Sequence, residues 1–347
     1  MSHLNIFSFP VLSMENPYLY LFYNTLSKYN FHYSGGLNVN DDWLYKNFNK
    51  IDILHFHWPE DIWRVRSTNK IGRLRGVIGF WKYLRLANKL GIKIWWTVHN
   101  LEHHEGTDFV DKLGYRVLAK LSNLIICHSN YALNILKKRD YPRGKVVVMY
   151  HGIYKGVYPT PIPREEVLRN LDLDPCLPTF CCLGNIRYYK GFDLAVDAIN
   201  SMKTKVQLII AGKVHKDYNI NMLSKKVSFN NRCKLIPKFL SKKEFSDIIA
   251  ACDAVILPYR KITTSGLLLA AWSFDKPAIV SDHPYFRELV IGAEAAVVFF
   301  QPGNVADLAG AISKMISEDK ISRLKAISKL KKRYSWENCI KSLLKNL

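Results

Sequence analysis

No apolar run in this sequence approaches the ~18 residues that a membrane-spanning helix needs. No Lys or Arg precedes the first apolar stretch, Asn5 to Phe9, so a secretory leader is not expected. Acidic residues are scarce: 29 Asp and Glu face 50 Lys and Arg, a formal charge of +21. That excess predicts an anionic partner, whether nucleic acid, an anionic membrane or a phosphorylated ligand. The seven cysteines are odd in number and include no CxxC pair or zinc-like spacing, which predicts buried free thiols in a reducing cytoplasm. A GxGxxG fingerprint is missing, which argues against a dinucleotide oxidoreductase. So is GxxxxGK[ST], which excludes a P-loop. No internal repeat or low-complexity tract is present.

The chain has 347 residues, 48% of them hydrophobic, enough for about two domains with substantial cores. Short apolar runs alternate with longer helical stretches. Strands are predicted at Asn5–Phe9, Ile51–His55, Lys93–Val98, Leu124–His128 and Val146–Tyr150. A second series follows at Phe180–Leu183, Val206–Ala211, Lys234–Ile236, Ala254–Leu257, Ala278–Val280 and Ala296–Phe299. Their spacing leaves room for crossover helices, so the expected class is α/β, with two doubly wound parallel domains facing across a cleft. Ligands in such folds bind beyond the carboxyl ends of the strands. The proline-rich segment Tyr158–Pro163 cannot be a regular helix or a central strand. It sets the expected division: a first domain at 1–157, a linker at 158–178, a second domain at 179–333 and a final helix at 334–347.

Five stretches carry chemistry. In Gly184-Asn185-Ile186-Arg187-Tyr188-Tyr189-Lys190-Gly191, Arg187 and Lys190 sit in a strand-to-helix loop, where helix amides already favour an anion. The bland reading is two exposed cations near a glycine turn. Pro258 to Ala270 also links a strand to a helix. Arg260, Lys261, Thr263, Thr264, Ser265 and Gly266 make a second plausible phosphate cradle, although Thr264 or Ser265 is equally an ordinary helix cap. Thr97 to Glu105 brings three histidines and two carboxylates past a strand end. A general base or a holder of substrate hydroxyls is expected there rather than a metal, because the spacing is not HExxH; a solvated loop is the alternative. Asp52 to Asp61 combines imidazoles, a Trp face and carboxylates, suited to a polyhydroxylated ligand, or is one core and one exposed histidine. Ile62 to Lys93 holds nine Lys and Arg, no acid and interleaved aromatics. It reads as an anionic-membrane contact through Arg64, Arg66, Arg73, Arg75, Trp81, Lys82 and Arg85, as a nucleic-acid groove, or as a solvated helix face.

Taken together, GNIRYYKG, ILPYRKITTSGLLLAAWSFDKPAIVSD, TVHN and YHGIY resemble a GT-B glycosyltransferase of the group 1 type, family-4-like, over nearly the whole chain. Asn16-Pro17-Tyr18 and HFHWP are similar to bacterial exopolysaccharide β-mannosyltransferases. The resemblance implies that the second domain binds a nucleotide diphosphate sugar, with GDP-mannose first and a UDP-hexose next. Gly184, Arg187, Lys190, Thr264, Ser265, Gly266 and Leu267 would hold the donor diphosphate. Glu288 would take ribose hydroxyls or, alternatively, pair with Arg287 on an exposed helix face. It implies no metal cofactor, in keeping with the lack of a DxD-like motif in a strand-end loop. The E-x7-E pair of many retaining relatives falls here near Thr263 and at Ala270, neither of them acidic, which favours an inverting enzyme. Inversion needs a general base; His99, Glu102, His104 and Glu105 are the candidates, and His99 also matches a family histidine near the donor sugar. Asn16, Tyr18, His57 and Trp58 are expected on the acceptor side. The implied acceptor is a lipid-linked saccharide at the cytoplasmic face of the membrane, in surface polysaccharide synthesis, with no nucleic-acid partner. A basic, non-catalytic membrane- or nucleic-acid-binding protein is the rival reading.

Overall fold

The computed structural model describes residues 3–13, 17–64, 69–100, 108–139 and 144–347. It divides into two compact units. The first comprises residues 1–152 and 335–347, the second residues 153–334.

The first unit is built on six parallel strands: β1 (Leu4–Phe9), β2 (Phe31–Gly36), β3 (Ile53–Phe56), β4 (Lys93–Val98), β5 (Leu124–Cys127) and β6 (Lys145–Val148). Their order is β2-β1-β3-β4-β5-β6. The central strands β3 and β5 are buried along their whole length, as a sheet covered on both faces requires. Two apolar layers cover it. One gathers Leu54, Trp63, Phe80, Trp96 and Tyr115. The other gathers Ile53, Trp95 and Ile126 with helix Pro17–Leu26 and helix Trp336–Leu344. Alternation along each strand sorts neighbouring residues into opposite layers.

The second unit repeats the plan with β7 (Thr179–Leu183), β8 (Gln207–Ala211), β9 (Cys233–Ile236), β10 (Ala254–Leu257), β11 (Ala278–Ser281) and β12 (Val297–Phe300). The order β12-β11-β10-β7-β8-β9 reverses direction between β7 and β10. A crevice at the carboxyl ends of those two strands is the place such a fold offers a ligand.

Eleven of the twelve strands fall where the sequence places them; the addition is β2. The boundary falls at residue 152, ahead of the expected 157, and residues 158–178 are not a separate linker. Ile162 N donates to Asp247, and Arg164 donates to the Ala251 and Leu177 carbonyls, which ties the segment into the second unit. Pro163 stands just before helix Arg164–Asn170, where a missing N–H costs nothing. All seven cysteines are free, and Cys176 alone among them is exposed.

Candidate active site

The reversal point of the second sheet gathers two of the expected stretches. β7 ends at Leu183, and the chain turns through Gly184 with φ +97°. A Cβ at Gly184 would meet Lys190 Nζ at 2.9 Å, so the glycine makes room for the ammonium to lie back over the strand end. Lys190 Nζ lies 5.3 Å from the Tyr259 ring and 5.9 Å from the Phe192 ring. Burial, and secondarily the Arg187 guanidinium, push its pKa down to about 8. No carboxylate among the described residues pairs with it. A half-buried cation held against apolar rings beside a second cation is a site that gains by taking an anion.

Gly191, at φ +64°, follows and opens helix Phe192–Ser201; a Cβ there would lie 2.1 Å from the Pro258 carbonyl oxygen. The loops after β7 and β10 therefore touch. Arg260 N donates to the Tyr189 carbonyl at 2.7 Å. The Arg260 guanidinium binds Asp193 at 2.9 and 2.7 Å and lies 4.4 Å from the Tyr188 ring. Arg260 is thus a strut between loops and not a cation of the phosphate cradle.

Ser265 is buried and caps helix Gly266–Ser273, accepting from Leu268 N at 3.3 Å. Its own N–H donates to the Tyr285 hydroxyl at 3.0 Å. The space beside Gly266 is taken by the Tyr154 hydroxyl, 2.8 Å from where a Cβ would stand. The glycine therefore serves Tyr154 packing, a role that the sequence left open to a ligand. Thr264 and Leu267 are half-buried at the same helix start. Glu288 is half-buried on helix Pro284–Val290. It is not the partner of Arg287, which binds Asp282 at 2.6 and 2.7 Å.

The first unit holds a cluster that the sequence reading saw only in pieces. His55, Thr97 and His128 share the alternation of Ile53, Trp95 and Ile126; His57, His99 and His151 prolong it past the strand ends. All six, with Ser8, are buried. Tyr23 and Tyr18 descend on them from helix Pro17–Leu26. Thr97 Oγ1 lies 2.8 Å from His55 Nε2, and His55 Nδ1 lies 2.9 Å from the Tyr23 hydroxyl. The same hydroxyl lies 2.9 Å from His57 Nε2, and His57 Nδ1 lies 3.1 Å from His99 Nε2. His128 Nδ1 donates to the Met149 carbonyl at 2.8 Å and His151 Nδ1 to the Gly152 carbonyl at 2.6 Å.

Burial holds these imidazoles neutral. It lowers His55 to about 3, His128 to about 4 and His151 to about 3, and neighbouring imidazoles add to the effect at His55 and His151. His57 and His99 are held well below the usual value by burial and then by the surrounding histidines. Among the described residues no three His, Cys, Asp or Glu side chains converge as a metal-ligand set. The hydrogen bond between His57 and His99 occupies a nitrogen of each ring.

Two acceptor-side expectations change. His57 is 1% exposed with both nitrogens engaged, and Tyr18 is 3% exposed among the rings of His99, His151 and Trp336. Both are packed inside the first unit. Trp58 is half-buried and stacks on His99 with centroids 4.1 Å apart. Asn16, Glu102, His104 and Glu105 lie outside the described residues, as does Arg66.

Arg64 and Arg73 are not free surface cations. Arg64 binds Asp111 in two-point fashion, at 3.0 and 2.5 Å, and Arg73 binds Asp108 and Asp111 at 2.7 Å each. Trp63 Nε1 donates to Asp111 as well, at 2.9 Å. Together these hold the Asp111 carboxyl down to about 2 against the opposing effect of burial. The remaining cations, Arg75, Lys82 and Arg85, are exposed on helix Lys70–Lys89 with Ile71, Ile78 and Trp81. Arg85 lies 4.9 Å over the Trp81 ring. No described helix is long and apolar enough to cross a membrane.

Two doubly wound units, each on a six-stranded parallel sheet, are the architecture of the GT-B class, and comparison with solved structures agrees. Sucrose-phosphate synthase from Thermosynechococcus elongatus superposes with a TM-score of 0.72 at 12% identity, covering 99% of this chain and 98% of that one. Anabaena Alr3699/HepE, solved in complex with UDP and glucose, superposes with a TM-score of 0.70 at 14% identity, covering 99% and 100%. The family described as "Glycosyl transferases group 1" matches residues 163–333, and "Glycosyltransferase Family 4" matches residues 30–154. The chain belongs to the group 1 glycosyltransferases. It is 23% identical over 232 residues to a Xanthomonas campestris pv. campestris protein named GDP-mannose:glycolipid 4-beta-D-mannosyltransferase, covering 66% of this chain. It is 24% identical over 229 residues, 65% of this chain, to an uncharacterised glycosyltransferase of Methanocaldococcus jannaschii. These matches span 61% and 59% of the two relatives' own lengths.

Proposed function

We propose that this protein transfers a hexose from a nucleotide diphosphate sugar, GDP-mannose first, to a lipid-linked saccharide, with inversion and without a metal. The observation that carries the reading is Lys190, held over Gly184 at the β7–β10 switch point with no carboxylate partner among the described residues and with Arg187 beside it. Charge builds on the leaving diphosphate as the glycosidic bond breaks, and fixed cations at that point lower the barrier. The helix start adds the backbone N–H groups of Gly266 and Leu267, while Ser265 holds that start in place by its cap and its bond to Tyr285. Glu288 takes the ribose hydroxyls.

The acceptor hydroxyl gives its proton to His99 as its oxygen bonds to the sugar's anomeric carbon. The bond from that carbon to the diphosphate oxygen breaks, and its electron pair leaves with the nucleoside diphosphate. Trp58, stacked on His99, offers an aromatic face to a saccharide ring. The Xanthomonas relative's name supports the choice of GDP-mannose and a glycolipid. The UDP-bound HepE supports a UDP-hexose as the second choice. The exposed stripe of helix Lys70–Lys89 supports attachment to the cytoplasmic face of an anionic membrane, where surface polysaccharides are begun.

A thermal-shift screen of GDP, UDP, ADP and CMP and their sugars, without added metal, tests the donor site. Stabilisation by one diphosphate family, lost in Lys190→Ala and Arg187→Ala, is expected. No stabilisation by any of them would overturn the reading.

A further inference from the structure

We propose that a groove between helix Asp41–Asn47 and helix Lys70–Lys89 holds a phosphoethanolamine lipid headgroup, its ammonium on Asp41 and Asp42 and its phosphate on Lys82. The inference rests on the reading that the stripe of helix Lys70–Lys89 meets a membrane, and it names the lipid which that surface selects.

The groove has a volume of about 360 Å³, and Asn40, Asp41, Asp42, Gly79, Lys82 and Tyr83 line it. Its charges are unspent. Among the described residues neither Asp41 nor Asp42 takes part in an ion pair, and Lys82 has no acidic partner. Lys82 shares the groove with both carboxylates yet stands beyond salt-bridge distance from them, so the two signs are set apart across it. The amides that open helix Asp41–Asn47 are not the attraction, because the Asn40 side chain already accepts from Asp42 N at 2.8 Å and Trp43 N at 3.3 Å.

Two further observations mark the groove as a site. Tyr83 is 1% exposed, and its hydroxyl has no hydrogen-bond partner in the fold. Buried hydroxyls are rarely left so. Burial, and after it the Asp41 carboxylate, push the phenol's pKa up, so the charge of Asp41 reaches that hydroxyl. The second observation is Gly79. Glycine inside a helix is costly relative to alanine. Gly76 has a packing reason, since a Cβ there would stand 3.1 Å from the Trp63 Cα. At Gly79 nothing lies within 4 Å of where a Cβ would be, and the missing side chain keeps the groove open.

A ligand that answers this lining carries an ammonium and an anion a few bonds apart. A primary ammonium has three N–H groups to place on the carboxylates and the phenol oxygen. The trimethylammonium of choline has none. The phosphate then faces Lys82. That lysine also belongs to the exposed stripe, and Ile78 and Trp81, 45% and 38% exposed, flank Gly79 and Lys82 along the helix. A headgroup in the groove therefore leaves its acyl chains beside the apolar members of the stripe.

Ligand-observed NMR of the full chain with dihexanoyl phosphatidylethanolamine and dihexanoyl phosphatidylcholine, each below its micelle concentration, tests the groove without a bilayer. The ethanolamine lipid is expected to bind about fivefold or more tightly. That preference should vanish when Asp41→Asn and Asp42→Asn are combined, and in Gly79→Leu. The leucine fills the groove while keeping every charge and improving helix propensity, so its effect is not one of misfolding. Equal binding of the two lipids by the wild type, or a preference that survives both variants, would overturn the proposal. Replacing part of the phosphatidylcholine in phosphatidylglycerol–phosphatidylcholine vesicles by phosphatidylethanolamine, with phosphatidylglycerol held constant, is expected to raise cosedimentation. If short-chain lipid binds but the vesicles gain nothing, the lipid is overturned as the occupant. If the wild type ignores vesicles without phosphatidylethanolamine but binds those that contain it, the headgroup site stands and the reading of the stripe as an anionic-membrane contact falls.

Discussion

Arg260 grips Asp193 with two hydrogen bonds, at 2.9 and 2.7 Å, and so fastens the loop after β10 to the start of the helix that follows the loop after β7. A guanidinium presents two parallel N–H groups and an ammonium does not. Arg260→Ala is therefore expected to weaken diphosphate binding without touching the ligand. The pair is about three-quarters shielded from solvent, so its loss costs on the order of 1 kcal/mol of stability. Arg260→Lys should recover only part of the binding. Titration calorimetry with the preferred nucleoside diphosphate checks both, and wild-type affinity in Arg260→Ala would remove the strut from the account.

Lys190 ties donor binding to pH. Its pKa near 8 means the ammonium is charged below that value and neutral above it. Diphosphate affinity is expected to hold up to about pH 7 and to weaken as pH rises through 8. Arginine keeps its proton throughout this range, so Lys190→Arg should flatten the profile, and Lys190→Ala should lower affinity about tenfold or more at neutral pH. A flat wild-type profile would show that the ammonium is not the group being read.

Acid should attack the first unit early. In the unfolded chain its histidines take up protons near the usual 6.5, but in the fold His55, His128 and His151 resist until about 3 to 4. The unfolded state therefore binds more protons between those values, and stability falls with pH there. It is complete above about 6.5 and drains away as pH drops toward 4, by about 1.4 kcal/mol for each unit of depression per residue. Hydrogen exchange at pH 7 and pH 4.5 should show strands β3 to β5 losing protection ahead of β7 to β10. Equal loss in both units would count against the neutral cluster.

The exposed stripe of helix Lys70–Lys89 predicts salt-sensitive adsorption to anionic vesicles. Ile71 is 68% exposed, Ile78 45% and Trp81 38%, and Arg75, Lys82 and Arg85 lie among them. Cosedimentation with phosphatidylglycerol–phosphatidylcholine vesicles is expected at low salt and not with phosphatidylcholine alone. Replacing Arg75, Lys82 and Arg85 by Glu should abolish it, since each near-surface cation contributes about 1 kcal/mol. Arg64→Glu and Arg73→Glu should instead destabilise the fold, because they would bring like charge against Asp111.

The strands were legible because each is a short β-branched or aromatic run between turn signals. β2 escaped because Phe31-His32-Tyr33-Ser34-Gly35-Gly36 lies at a sheet edge, where one neighbour is enough and the apolar demand is weak. Arg187, Lys190 and Ser265 were legible because one loop carries each of them. The histidine cluster was not, because its members come from four strand ends. The signal was present in His55-Phe56-His57 and Thr97-Val98-His99, where one residue separates side chains on one face. Arg64 and Arg73 were misread for a related reason: their stretch has no acid, and the carboxylates that neutralise them come from Asp108 and Asp111, far along the chain.

Trp336 packs against Gly152, where a Cβ would stand 2.5 Å from the indole, and against Tyr18 and His151. The helix it begins covers the first unit's sheet, yet about 180 residues of the second unit separate the two in the chain. During synthesis the first sheet therefore emerges from the ribosome with that layer covered only in part, by helix Pro17–Leu26. It must wait for the rest of its cover until the whole second unit has been made. Residues 336–344 act as a closing piece delivered after the second unit, and a nascent chain stalled before them is expected to expose Tyr18 and Phe22 to chaperones.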